Sequence, residues 1–416
     1  MTVSRSEVQR RTLDGKHHDV VVEYFLTDSS IIAFVILAED FHVLQWPRDF
    51  PLKTWVKQLR PLALPQEDTG LRDSISHRLY LKLFAPIEDL LSKGASVLII
   101  PDGVLGYLPF EALLTQAQDQ NPSNAPAYLL AEYPLSYAYS ATLHQEMQRK
   151  THAEDPPKNL LAVAPIFQDE PSTADTLLLA SRFMDTSDHR NFLTPLQYNI
   201  PEAQNIAKQF NGEALLGAEA TEEGFIQRAS DYRILHLSTH GKANDQAGDY
   251  SFLAFHQTPS DSLENEWLYN REIYNLQLNA DLVVLSACET GIGELQRGEG
   301  IISLARGFSY AGAKSLVTSL WNVNDRSSME LMESFYGYLA EGQPKHLALR
   351  EAKLDYLESH PAYLQSPYYW AAFIAIGDME PVKLSQPQPW RWFLGVLVFM
   401  ALLALAYWRW RQPQKG

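Results

Sequence analysis

Cysteine is almost absent: the 416 residues hold one, Cys288. That excludes an internal disulfide framework and fits a reducing compartment. Basic side chains are also in deficit. Thirty-four Lys and Arg face 50 Asp and Glu, a formal net charge of −16. Phosphate binding needs positive surface, so no nucleic-acid partner is expected. The opening Met1-Thr2-Val3-Ser4-Arg5-Ser6-Glu7 is polar and lacks the apolar stretch of a secretory signal. No internal repeat is visible, and neither a cofactor nor a metal is expected. The length leaves room for one large domain or two ordinary ones with a substantial core.

What is present centres on the single thiol. Asp281-Leu282-Val283-Val284-Leu285-Ser286-Ala287-Cys288 reads as a strand buried on both faces, as in a parallel sheet. Glu289-Thr290-Gly291 then breaks the pattern. Ligands of open α/β sheets bind beyond the carboxyl ends of strands, so a thiol there is presented to a crevice. Taken alone, Cys288 reads more readily as a small buried hydrophobe than as a nucleophile. A second strand, Tyr232-Arg233-Ile234-Leu235-His236-Leu237-Ser238-Thr239-His240-Gly241, ends on a histidine and a glycine. His236 lies inside that strand and fits a hydrogen-bonded structural role. His240 is the better base, because two parallel neighbouring strands would deliver His240 and Cys288 to the same sheet edge.

The pairing has a chemical reason. A thiol of pKa about 8.5 is only a few per cent thiolate at neutral pH. An adjacent imidazole takes its proton and later returns one to a leaving amine. The N–H groups of Gly241 and Cys288 are candidate oxyanion donors, each worth roughly 3–4 kcal/mol in proteases. Glycine suits that place because no Cβ obstructs the substrate.

Leu237-Ser238-Thr239-His240-Gly241 together with Leu285-Ser286-Ala287-Cys288-Glu289-Thr290-Gly291 resembles the paired signature of CHAT-domain cysteine peptidases, bacterial relatives of separases and caspases. The resemblance extends through Ile100-Pro101-Asp102-Gly103, Leu108-Pro109-Phe110-Glu111-Ala112-Leu113 and Tyr139-Ser140-Ala141-Thr142. It continues in Gly298-Glu299-Gly300-Ile301-Ile302-Ser303-Leu304-Ala305-Arg306, Ala311-Gly312-Ala313-Lys314-Ser315, Ser319-Leu320-Trp321-Asn322-Val323-Asn324-Asp325 and Tyr369-Trp370-Ala371-Ala372-Phe373. It implies an α/β fold: a caspase-like, mainly parallel sheet flanked by helices, beside an N-terminal accessory lobe of degenerate caspase-like type. It implies a Cys–His dyad, with Glu289 left as loop structure or a subsite contact. In separases the aspartate of a similar Trp-Val-Asp segment binds a basic P1 side chain, which places Asp325 in an S1 pocket. Bidentate pairing there favours arginine over lysine. Read from the residues alone, Asp325 is equally a helix N-cap, and Asn324 is an alternative one. Some caspase relatives carry an acidic S1 residue two before the cysteine. Here that position is Ser286, a second S1 candidate.

In chain order, residues 20–26, 31–38 and 41–46 read as strands with short hairpin breaks. Residues 71–91 space apolar side chains as a helix. Segment 96–100 is a buried strand, and Pro101-Asp102-Gly103 has turn chemistry rather than a metal or phosphate role. Residues 1–155 form the accessory lobe and 156–384 the catalytic one. In the latter, strands at 160–165, 214–217, 281–288 and 314–323 alternate with helices at 200–210, after Thr221, at 299–311 and at 326–339. That alternation implies a mainly parallel sheet. Residues 242–249 read as a loop near the site. Loop 291–298 reads as mobile, with Arg297 a self-cleavage point if arginine is preferred.

A linker, 385–391, leads to residues 392–408, which carry no charge. Seventeen helical residues span about 25 Å, the lower limit for crossing a bilayer. Trp390, Trp392, Trp408 and Trp410 flank the run as an aromatic belt would, and 409–416 is a basic tail. The expectation is a transmembrane helix in a single-pass protein of the inner or plasma membrane, its catalytic domain facing the cytoplasm. The expected function is a membrane-tethered cysteine endopeptidase acting on protein substrates, with a separate activator or sensor protein as a further partner. The rival from another class is a catalytically silent or latent membrane scaffold or sensor of the same fold. A third is hydrolysis of a small amide.

Overall fold

A computed structural model describes residues 4–13, 17–60, 69–117, 126–152, 155–167, 194–244, 247–256, 267–287, 290–291, 293–296, 300–384 and 400. Among them the β-branched and leucine-rich runs form sixteen strands: β1 (Val20–Leu26), β2 (Ser30–Leu37), β3 (Phe41–Pro47), β4 (Val97–Ile100), β5 (Leu135–Tyr137), β6 (Lys158–Pro165), β7 (Glu213–Gly217), β8 (Tyr232–Ser238), β9 (Gly241–Lys242), β10 (Phe252–Ala254), β11 (Trp267–Tyr269), β12 (Leu282–Ser286), β13 (Gly293–Gln296), β14 (Gly300–Ser303), β15 (Ser315–Ser319) and β16 (Phe373–Gly377). Eleven build one sheet, in the order β3-β2-β1-β4-β5-β16-β15-β12-β8-β6-β7. Every residue of β4, β8, β12, β15 and β16 is buried, as strands covered on both faces require.

Nine of the eleven strands make two parallel blocks of opposite sense, and β2 and β3 extend the sheet antiparallel beside β1. β1, β4, β5 and β16 run together, and β15, β12, β8, β6 and β7 run together. The two blocks meet at the antiparallel pair of β15 with β16. Strands of the first 155 residues occupy one side of the sheet without interruption. In the second block the chain order of strands across the sheet is second, first, third, fourth, fifth. That puts a topological switch point between β6 and β8, where ligands of doubly wound sheets bind.

Buried charge pairs tie the helix Lys345–Ser359 into this frame. Lys353 Nζ lies 3.2 Å from Glu111 Oε1, and the Tyr137 hydroxyl donates to the same carboxylate. Lys345 Nζ donates to the Asp378 carbonyl at 3.0 Å. Residues Met1–Val382 form one compact unit and Lys383–Gly416 a second.

Several expectations are revised. The helix expected over 71–91 is Thr69–Leu83, followed after Phe84 by Ala85–Glu88, where Pro86 brings no amide hydrogen to the ladder. The helix expected from residue 299 begins at Leu304, because 300–303 pair with β13 as a hairpin. The segment 242–249, read as a loop, starts inside a small sheet of order β11-β10-β9. The single-pass inner- or plasma-membrane localisation is corrected. Among the described residues no helix is long and apolar enough to cross a membrane. The long ones, Thr69–Leu83, Asp325–Ala340 and Lys345–Ser359, all carry charged side chains. The segment 392–408 itself, Met400 apart, lies outside the described residues.

Candidate active site

Register brings Ser238 and Ser286, each two residues before a chemical candidate, to one edge of the sheet. β8 and β12 pair in parallel, Leu282 opposite Ile234 through to Ser286 opposite Ser238. His240 and Cys288 each follow the last pair by two residues. Cys288 and Glu289 lie outside the described residues, as does Arg297. The chain on either side of the cysteine is held by the end of β15. The Ser319 hydroxyl donates to the Ala287 carbonyl at 2.5 Å, Thr290 and Thr318 share a hydroxyl hydrogen bond of 2.8 Å, and the Gly291 N–H donates to the Ser319 carbonyl at 2.8 Å. Ala287 and Thr290 are both buried. Ser286 is buried at the end of β12.

His240 is 6% exposed, and its ring packs on Phe167, centroid to centroid 4.7 Å, from just beyond β6. Nε2 lies 2.7 Å from the Thr194 carbonyl. A carbonyl only accepts, so the neutral ring carries its proton on Nε2 and keeps its lone pair on Nδ1. Burial holds the imidazole pKa below 6.5, and the Thr194 bond opposes part of that shift by favouring the cation. Burial thus favours the neutral imidazole. Its backbone is fixed by β10: the Ala254 N–H donates to the His240 carbonyl at 2.9 Å, and the Thr239 hydroxyl donates to the Ala254 carbonyl at 2.5 Å. With Gly241 opposite Leu253 in that ladder, alternation turns the Gly241 N–H away from β10.

His236 has a different setting. Fully buried, it meets the Tyr336 hydroxyl through Nδ1 at 3.1 Å and lies with Nε2 2.9 Å from Glu202 Oε1. Ser238 donates to the other oxygen of Glu202 at 3.3 Å. This is internal wiring of the sheet, away from the edge that carries His240.

Asp325 does not cap its helix. Asn324 does, its side chain accepting from the Ser327 N–H at 3.1 Å. Asp325 Oδ2 instead accepts the N–H groups of Gln197 and Tyr198 at 2.8 and 2.9 Å. Burial raises its pKa, against the lowering effect of those two bonds. Thr194, Phe167, Glu202 and the 197–198 amides escape a reading of the sequence. Thr194 and the amides act through backbone atoms, which carry no residue-type signal, and Glu202 is one acid among many on an amphipathic helix. Among the described residues no group of three or more His, Cys, Asp and Glu is placed to hold a metal ion.

The sequence profile of the CHAT domain matches residues 73–378. Tetratricopeptide repeat protein 28 of Homo sapiens is 25% identical over 365 residues, covering 78% of this chain, and that of Mus musculus is 24% identical over the same share. The chain spans 14% of the length of these curated relatives. Among solved structures, the Saccharomyces cerevisiae separase–securin complex is similar at 10% identity and a TM-score of 0.40, covering 80% of this chain and 20% of that one. The Arg-specific cysteine proteinase gingipain R is similar at 11% identity and a TM-score of 0.44, covering 80% of this chain and 75% of that one.

Proposed function

The chain belongs to the CHAT domain family, and from that premise we propose that it is a cysteine endopeptidase working through Cys288 and His240. The observation that carries the reading is the β8–β12 register together with the Nε2–Thr194 bond. It leaves His240 neutral, with Nδ1 as the atom that takes a proton from Cys288. The thiolate attacks the scissile carbonyl, and the N–H groups of Gly241 and Cys288 receive the developing oxyanion. Protonated His240 then gives its proton to the leaving amine, and water hydrolyses the thioester.

Asp325 and Ser286 line the P1 pocket in this reading, with a basic side chain preferred. The support is position: Asp325 opens the helix that follows β15, the parallel neighbour of the strand that leads to Cys288. An activator or sensor is a separate partner, and relatives named for tetratricopeptide repeats make a repeat protein the partner class to try first. The same names favour a second reading, a catalytically silent scaffold, because they denote repeats and not an activity.

The test is cleavage of peptides that differ only at P1. Wild type cuts after Arg, and Cys288→Ala and His240→Ala lose at least about a thousand-fold in rate. Cleavage that survives Cys288→Ala would falsify the assignment.

A further inference from the structure

We propose that Asp325 is a positioning residue for His240, acting through the backbone of residues 194–198; the inference rests on the peptidase reading above. Asn324 already caps the helix Asp325–Ala340, so its own helix does not need the Asp325 carboxylate. That carboxylate reaches across 128 and 127 residues of sequence to two consecutive amides, Gln197 and Tyr198. They immediately precede the helix Asn199–Gln209, whose N-cap residue, Tyr198, supplies no side-chain capping bond. An anion at that place satisfies N–H groups which the helix terminus leaves without intrahelical partners.

The same short segment holds the base. Thr194, three residues before Gln197, is the carbonyl that fixes His240 Nε2 at 2.7 Å. Pro195 confines Thr194 to extended backbone, which limits how far the carbonyl can turn. Leu196 packs on a cluster of Phe167, Phe252, Ala254 and Trp267, and Phe167 is the ring against His240. Asn199 anchors the far side, donating to the Pro165 carbonyl at 2.8 Å. Among the described residues the segment from Thr194 is therefore pinned by the Leu196 contact, by Asp325 and, at its far end, by Asn199. Both amides go to Oδ2, so Oδ1 is the oxygen that meets a P1 cation. Recognition of the substrate and orientation of the base converge on one carboxylate.

Cys288 is the sole cysteine, so its labelling by iodoacetamide at pH 7, read by intact mass, reports the His240–thiol pairing without turnover. Asparagine at 325 keeps a neutral oxygen acceptor for both amides, whereas alanine does not. Asp325→Ala slows labelling about ten-fold, toward the His240→Ala rate, as loss of imidazole activation returns the thiol to its ordinary thiolate fraction. Asp325→Asn labels within about two-fold of wild type yet raises KM for Arg peptides, because it lacks the charge. Should Asp325→Ala fail to fold, Asp325→Leu, equally without an acceptor and close to aspartate in shape, gives the same comparison. Wild-type labelling of folded Asp325→Ala, or equal slowing in the Ala and Asn variants, overturns the inference. If His240→Ala itself labels like wild type, the dyad reading fails and takes the inference with it. That outcome is distinct from slow His240→Ala beside normal Asp325→Ala.

Discussion

Three neighbours decide the protonation of His240. The Thr194 carbonyl accepts from Nε2–H, Phe167 covers the ring, and burial disfavours the cation. With its pKa held below 6.5, the base stays proton-free until the solution is more acidic than an exposed histidine would require. The acid limb of kcat/KM is therefore expected to have its midpoint below pH 6.5, in the absence of any other titrating group of higher pKa. A midpoint at or above 6.5 in the wild type contradicts the burial argument. At this scale the place of His240 just past the end of β8 was legible in the sequence, because a histidine followed by glycine closes an apolar run there. Asp325 was legible as a residue but not in its contacts. Its partners are amides 127 and 128 positions away, and no side-chain pattern marks them.

The element that matters most is the turn after β12. Thr290 is fully buried, and its hydroxyl meets Thr318 at 2.8 Å while the Ser319 N–H donates to it at 3.4 Å. Thr290→Val keeps the shape and removes the hydroxyl, leaving buried polar groups without it. The expected loss is about 1–3 kcal/mol by chemical denaturation, with a lower kcat because the chain beside Cys288 loses an anchor. Unchanged stability and unchanged kcat together contradict that role. The pairing of β8 with β12 was foreseeable from two mostly apolar runs, each leading to a chemical residue. The β13–β14 hairpin was not: Gly291, Gly293 and Gly298 made 291–298 read as a loop, 299–311 read as a helix, and pairing is a non-local property. Gly312 shows the same limit. Its φ of +133° closes the helix Leu304–Ala311 with the Leu278 carbonyl only 2.1 Å from where a Cβ would sit. The tight approach is invisible without the fold.

Over the whole molecule, alternating strands and helices in residues 156–384 announced a parallel block. The reversal at β16 could not be read, since Phe373–Gly377 resembles any other buried strand and its partner β15 begins 58 positions earlier. Between the helix Lys345–Ser359 and the strands of the other block lies a group of histidines. His18 stacks on His346 at 5.7 Å and meets His144 edge-on at 5.6 Å. Burial lowers the His144 pKa to about 4 and that of His346 to about 3, and takes His18 well below its usual value. In the unfolded chain these rings take protons near pH 6.5, so the unfolded state binds more protons as the solution acidifies. Their contribution to stability is present above pH 6.5 and is lost as pH falls toward 4 and then 3. Neither ring nitrogen of His144 has a hydrogen-bond partner among the described residues. His144→Leu is therefore expected to flatten the fall of Tm between pH 6.5 and 4 while leaving Tm near neutral pH equal or higher. An equally steep fall in the variant contradicts the assignment.

The central claim is a covalent intermediate on Cys288, and intact-mass spectrometry tests it directly. Enzyme mixed with an arginyl ester, quenched in acid within the first turnover and weighed, is predicted to carry one acyl group that maps to Cys288. Cys288→Ala carries none, and His240→Ala acquires it slowly. Product release from wild type with no adduct at any time, or an adduct on another residue, contradicts the account.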